Sequence, residues 1–357
     1  MKLETFLHWT VLFPILSALF YFSGMLNDSL FSSIVGAMLL ISSVLSAVHH
    51  AEVVAARVGE PFGTIILAIC ITVLEVGLII SFMLSGGENA LTYARDTVFA
   101  AVMLILNGIL GVCILIGSVQ YKEQFFIRSS ATSYLVSITS ILVLTMILPN
   151  FTSSHSGPFY SRAQLAFVSL ACLTIYGTFL MVQTVRHRNY FVADAENSLS
   201  EEHMPSTQNA IFSLIILIIS LASVILISKA LSPAVEGFVK SIDAPYSLVG
   251  VIIACVVLLP EGFAAVRAAR KNQIQTSINL GLGSALASLG LTIPAVSLVC
   301  ILNDIPFVLG LDAKSIVLLC LTVFTVMLSL SRGKTNLLYG TVLLVNLAAY
   351  IFTVIFP

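Results

Sequence analysis

TIILAICITVLEVGLIISFML (64–84) and SLVGVIIACVVLLPEGFAAV (247–266) are apolar runs long enough to cross a lipid bilayer, and each holds one carboxylate, Glu75 and Glu261. About twenty mostly apolar residues make one span. Lipid offers the backbone no hydrogen-bond partners, so such a run must be helical. An ionisable side chain at that depth costs at least about 2.5–3.5 kcal/mol and is a functional-site candidate by default. Every other Asp or Glu falls in a polar segment or close to the end of an apolar one. Two such acids, one in each half of the chain, predict a single shared site for a cation.

The same length rule, applied outward from these runs, predicts eleven spans in the 357 residues. They lie near 5–25, 29–48, 62–84, 97–118, 131–149, 163–184, 208–230, 246–267, 276–301, 307–330 and 335–356. The residues are 58% hydrophobic and only 9% charged, with mean hydropathy +1.06, where a soluble domain carries about 25% charged residues. The expected fold is an all-α polytopic membrane protein of about eleven transmembrane helices, its partner the lipid bilayer. A net charge of −1 leaves no basic footprint for nucleic acid. The six cysteines lie in apolar runs without metal-ligand spacing and read as small buried hydrophobes. The first run lacks an A-x-A site and is followed by further spans, so it reads as a span and not as a cleaved signal.

Placing the N-terminus in the cytoplasm puts eleven of the sixteen Lys and Arg residues on the inner side and the C-terminus outside. The polar connection RHRNYFVADAENSLSEEHMPSTQ (186–208), with Asp194, Glu196, Glu201 and Glu202, divides the chain. This predicts an extra helix (1–28), a five-helix repeat (29–185), an acidic cytoplasmic linker (186–207) and a second five-helix repeat (208–357). Five is odd, so the second repeat enters the membrane inverted, a plan that many secondary transporters build around a midplane site. Glu75 and Glu261 then occupy the second helix of their repeats.

The polar residues nearby suit a hard cation, which takes carboxylate, carbonyl, amide and hydroxyl oxygens. Thr72 shares a helix face with Glu75. Pro260, just before Glu261, removes a backbone donor and frees a carbonyl one turn earlier. The next helix of each half carries a small, polar face: Asn107, Gly108 and Gly111 in LILNGILG (104–111), and Gly281, Gly283, Ser284, Ser288 and Gly290 in NLGLGSALASLGLTIP (279–294). Such faces serve as packing seams as readily as they serve as ligands. Asn107, Ser284 and Ser288 are therefore candidate flanking ligands with Thr72. The cluster VHHAEVVAARVGE (48–60) has no metalloenzyme spacing and reads as an interfacial group. Its His50, Glu52 and Glu60, with Asp96 at the start of the fourth span, are candidates for an access path.

HHAEVVAARVGEPFGTIILAICITVLEV (49–76) and LLPEGFAAVRAARKNQIQTSINLGLGSALASLGLTIPAV (258–296) resemble the paired signatures of bacterial calcium/proton antiporters of the ChaA type, in the cation/calcium exchanger superfamily. The first departs from the usual Gly-Asn-x-x-Glu or Pro-Glu form, with Thr72, Val73 and Leu74 before Glu75. The resemblance implies that Glu75 and Glu261 are the cation- and proton-binding acids, flanked by Asn107 and the 284–288 region. It also implies exchange of cytoplasmic Ca²⁺ for external protons across a bacterial inner membrane, with no cofactor and no catalytic residue. Na⁺ or K⁺ exchange against protons is the alternative substrate reading. The competing classes are a cation channel using the same acids as a ring, a membrane enzyme centred on His49, His50 and Glu52, and a structural membrane protein, which would leave both buried acids unexplained.

Overall fold

The structure, a computed structural model, describes residues 8–24, 29–59, 62–84, 90–153, 157–191 and 205–356. Its main helices are α1 Trp9–Phe22, α2 Leu30–Val58, α3 Phe62–Met83, α4 Tyr93–Tyr121, α5 Arg128–Phe151, α6 Arg162–Arg186, α7 Thr207–Ser241, α8 Ser247–Arg270, α9 Ile274–Leu302, α10 Ala313–Leu330 and α11 Leu337–Ile355. All but the 14-residue α1 are long and apolar enough to cross a membrane. Extended pairing among the described residues is limited to two isolated bridges, Phe125 with Lys334 and Phe159 with Val308. The all-α, eleven-helix expectation holds.

Local chemistry sets the helix ends. Ser29 with Ser32, and Ser161 with Gln164, form reciprocal capping boxes that open α2 and α6. Gly59, at φ 76°, closes α2. Between His49 and Gly59 there is no breaker, so α2 continues ten residues past its expected end at 48 and carries the histidine pair on a helix. Likewise α7 continues through Pro233 to Ser241, past its expected end at 230. By contrast α10 begins at Ala313 and not at 307, because Val308 is drawn into the bridge to Phe159.

The helices sort into two compact units, each drawing on both halves of the chain: residues 1–93 with 202–257, and 94–201 with 258–357. In the first, α7 packs against α1, α2 and α3. A seam of serines joins them. Ser17 and Ser43 share a hydrogen bond of 2.7 Å, Ser46 donates to the Thr10 carbonyl and contacts Ser220, and Ser223 donates to the Pro14 carbonyl at 3.0 Å. Small hydroxyl residues let backbones approach and leave no polar group unsatisfied in an apolar interior, each interhelical bond contributing roughly 0.6 kcal/mol.

In the second unit α4 and α9 are the most enclosed of the described spans. Here α4 packs on α9, α10 and α11, while α5 and α6 pack on α9. Gly340 of α11 lies flush on α4: a Cβ there would stand 2.7 Å from the Leu115 backbone nitrogen, a contact no side chain can make. The six cysteines are free; Cys113, Cys172 and Cys300 are buried, whereas Cys255 and Cys320 face outward, contrary to the buried reading.

Three substitutions test these seams by thermal unfolding in detergent. Ser43→Leu, at a fully buried position, should cost about 1–3 kcal/mol by overpacking. Gly340→Leu should destabilise at least as much, because a backbone atom blocks it, while Ser223→Ala should cost only about 0.6 kcal/mol.

Candidate functional site

At 1.5 Å per residue, Glu75 lies about 20 Å along α3 and Glu261 about 21 Å along α8. Both are buried, at 3% and 9% exposure. Neither side chain reaches a helix end, so neither can snorkel to water. Glu75 belongs to the first unit. On its helix Thr72, also buried, donates to the Ala68 carbonyl at 2.8 Å, which uses its proton and leaves its oxygen lone pairs for another partner. Gly77, on the face of α3 turned away from Glu75, sits where a Cβ would be 2.8 Å from Ile225 of α7, so α3 approaches α7 closely there.

Glu261 belongs to the second unit with Asn107, Ser284 and Ser288. Residues Leu104–Ile109 of α4 form a π-helical segment, and Ser288–Thr292 form another in α9. A π segment inserts one residue into the helix and disturbs its hydrogen-bond ladder, a distortion frequent at functional sites. Asn107 stands inside the first and Ser288 opens the second. The segment around Asn107 is a hub. A Cβ on Gly262 would lie 3.6 Å from Ile109, and one on Gly281 would lie 3.2 Å from Leu110. Gly108 faces Leu347 of α11, and Asn107 donates through Nδ2 to Thr322 Oγ1 of α10 at 2.9 Å. So α8 next to Glu261, the glycine face of α9 and two further helices meet on six residues of α4. Farther along, Ser277 of α9 donates to the Ala265 carbonyl of α8 at 2.7 Å and holds the acid-bearing segment on α9.

Asn107 is fully buried, and its Oδ1 accepts no hydrogen bond. A buried amide oxygen without a donor carries a desolvation cost of about 1–3 kcal/mol; a cation would relieve it. Ser288 is buried and Ser284 half-buried. The glycines of this face pack against neighbouring side chains, as the seam reading expects, and Asn107 Oδ1 is a buried acceptor among them.

The access-path candidates are dispersed. His50 is buried on α2 and Glu52 is exposed there. His8, which the sequence reading did not single out, brings its ring 6.4 Å from that of His49, itself 5.2 Å from His50. Glu60, like Asp194, Glu196, Glu201 and Glu202 of the linker, lies outside the described residues. Asp96, in the second unit, is paired with Arg95 at 2.8 Å, and Arg95 also reaches the Gly310 carbonyl. Among the described residues no group of three or more His, Cys, Asp or Glu side chains is arranged to hold a metal. Thr322, Met103 and the π segments, of which Val143–Ile147 in α5 and Val182–Arg186 in α6 are two more, also escaped the sequence reading. Thr322 is one hydroxyl in an apolar run, and a π segment leaves no mark in composition.

Comparison with known proteins matches these features to a family. The model of the sodium/calcium exchanger protein family matches residues 29–185 and 212–356. Protein y4hA of Sinorhizobium fredii is 42% identical over 309 residues, which is 87% of this chain and 84% of its own. The sodium-potassium/proton antiporter ChaA of Escherichia coli is 32% identical over 321 residues, 88% of this chain and 86% of its own. The solved structure of native YfkE superposes with a TM-score of 0.75 at 18% identity, over 99% of this chain and 100% of its own, which shows a common fold. With two long segments matched by one family model, and relatives similar over most of its length, this chain is a polytopic membrane protein of the sodium/calcium exchanger family.

Proposed function

We propose that this protein is a secondary antiporter that exchanges cytoplasmic Ca²⁺ for external protons, with Glu75 and Glu261 as the acids that bind either. The observation that carries this reading is the burial of one carboxylate in the interior of each of two spans. A carboxylate cut off from water must be neutralised. Two protons do this, and so does one divalent ion, so cation and proton compete for the same oxygens. If the neutralised states reorient across the membrane and the empty, charged state does not, coupled exchange follows with the proton gradient as its energy source. We further propose that residues 29–185 and 208–357 are inverted repeats, with residues 1–28 an additional helix and 186–207 a cytoplasmic linker. The two segments matched by the family model support that division. Asn107, Ser284, Ser288 and Thr72 supply flanking oxygens; His50, Glu52, Glu60 and Asp96 line the approach. The proposed setting is a bacterial inner membrane, N-terminus cytoplasmic and C-terminus external.

A second reading, Na⁺ or K⁺ exchange against protons through the same acids, is favoured by one observation: the 32% identical Escherichia coli relative is named a sodium-potassium/proton antiporter. Everted membrane vesicles with an acid interior decide between them. Ca²⁺ should release the pH gradient in the wild type; release by Na⁺ or K⁺ alone would select the second reading, and no release with any cation would sink both. Glu75→Gln and Glu261→Gln should each yield a folded protein whose exchange falls at least about a hundredfold, the scale of losing a charged ligand worth roughly 3 kcal/mol. Lowering the pH on the binding side should raise the apparent KM for the cation, by up to about tenfold per unit for each competing proton, with Vmax unchanged.

A further inference from the structure

We infer that Thr322 is a positioning residue for cation binding: its hydroxyl, held by Met103, fixes the Asn107 amide so that the oxygen, not the nitrogen, is presented to the cation. The inference rests on the exchange reading and adds to it a residue outside both signature regions.

An asparagine amide is nearly symmetric in shape but opposite in polarity at its two ends. A cation site gains from Oδ1 and is harmed by Nδ2, so something must decide which end faces inward. Asn107 and Thr322 are both fully buried, on α4 and α10. Asn107 Nδ2 lies 2.9 Å from Thr322 Oγ1 and 3.9 Å from Met103 Sδ. Thr322 Oγ1 lies 3.5 Å from Met103 Sδ. A hydroxyl has one proton. With that proton directed at the sulfur, Oγ1 turns a lone pair to Asn107 and accepts from Nδ2. The nitrogen end is therefore taken up by Thr322 and Met103 together. The opposite end, Oδ1, is left buried without a donor, in the segment that meets α8 beside Glu261 at Gly262. Met103 is on the turn before Asn107, so the arrangement is built into the entry of the π segment.

Partners that orient a metal ligand typically contribute 10–100-fold to affinity. The variant Thr322→Val keeps the shape and removes the hydroxyl. In everted vesicles its KM for the transported cation should rise about tenfold or more, with Vmax kept within about twofold of wild type, while Thr322→Ser should restore the wild-type KM. Met103→Leu, which conserves volume but frees the hydroxyl proton to donate to Oδ1, should raise KM in the same direction. Combining Thr322→Val with Asn107→Ala should add nothing to Asn107→Ala alone. Thermal stabilisation of each purified variant by Ca²⁺, Na⁺ and K⁺ reads binding independently of transport. The stabilising cation's midpoint should shift by the same factor as KM. A Thr322→Val protein that loses stability or Vmax at unchanged KM has lost only packing, and the inference is wrong. Failure of Thr322→Ser to rescue, or additive losses in the double variant, would also overturn it. If the wild type exchanges no cation, the antiport reading fails, while the cation-dependent stabilisation still decides the role of Thr322.

Discussion

A polar atom at mid-membrane has no bulk water to turn to, and many of those in this protein find a partner on their own helix or on a neighbouring one. That constraint organises the fold. In the first unit it turns serines into the seam between α1, α2 and α7, where hydroxyls reach across to carbonyls and to each other. In the second it sets Asn107 against Thr322. The hydrophobic effect cannot hold helices together inside lipid, so close backbone approach and these few hydrogen bonds take its place. The glycines belong to the same economy of contact: Gly340, Gly281 and Gly77 mark places where one helix backbone lies against another chain segment.

The acids differ in where they stand. Asp96, at the start of α4, has its counter-charge next to it in Arg95. Asp96 is thus paired at a helix start, whereas Glu75 and Glu261 are buried within spans. Two of the four π segments among the described residues hold a candidate residue. A one-residue insertion unsettles the backbone ladder where Asn107 and Ser288 stand.

How much of this could be read from residues alone follows from the same physics. Glu75 and Glu261 were legible because a charge in an apolar run is conspicuous, and the span count because a bilayer sets a length. Side-chain direction was not. When core and lipid are both apolar, a helix carries little periodic signal to tell its faces apart, and Cys255 and Cys320 proved to face outward. The end of α2 was misplaced because His49, His50 and Glu52 interrupt hydropathy without interrupting the helix. Thr322 was invisible for another reason. Its partner is 215 positions away in the chain, and a lone threonine in SIVLLCLTVFTVMLSL (315–330) looks like any other.

The contact of Gly340 with α4 bears on the order in which the protein can be completed. The glycine face of α4, Gly108 and Gly111, is covered by Leu347, Leu344 and Leu343 of α11, a helix that starts more than 220 residues later in synthesis. Chains emerge N-terminus first, at about 5–20 residues per second, so this face waits about 10–45 seconds for its cover. During that interval the helix bearing Asn107 must rest against lipid or a temporary neighbour. The second unit can therefore close only as a late event of biogenesis, and a chain interrupted before residue 337 would leave its most enclosed helix with an open side.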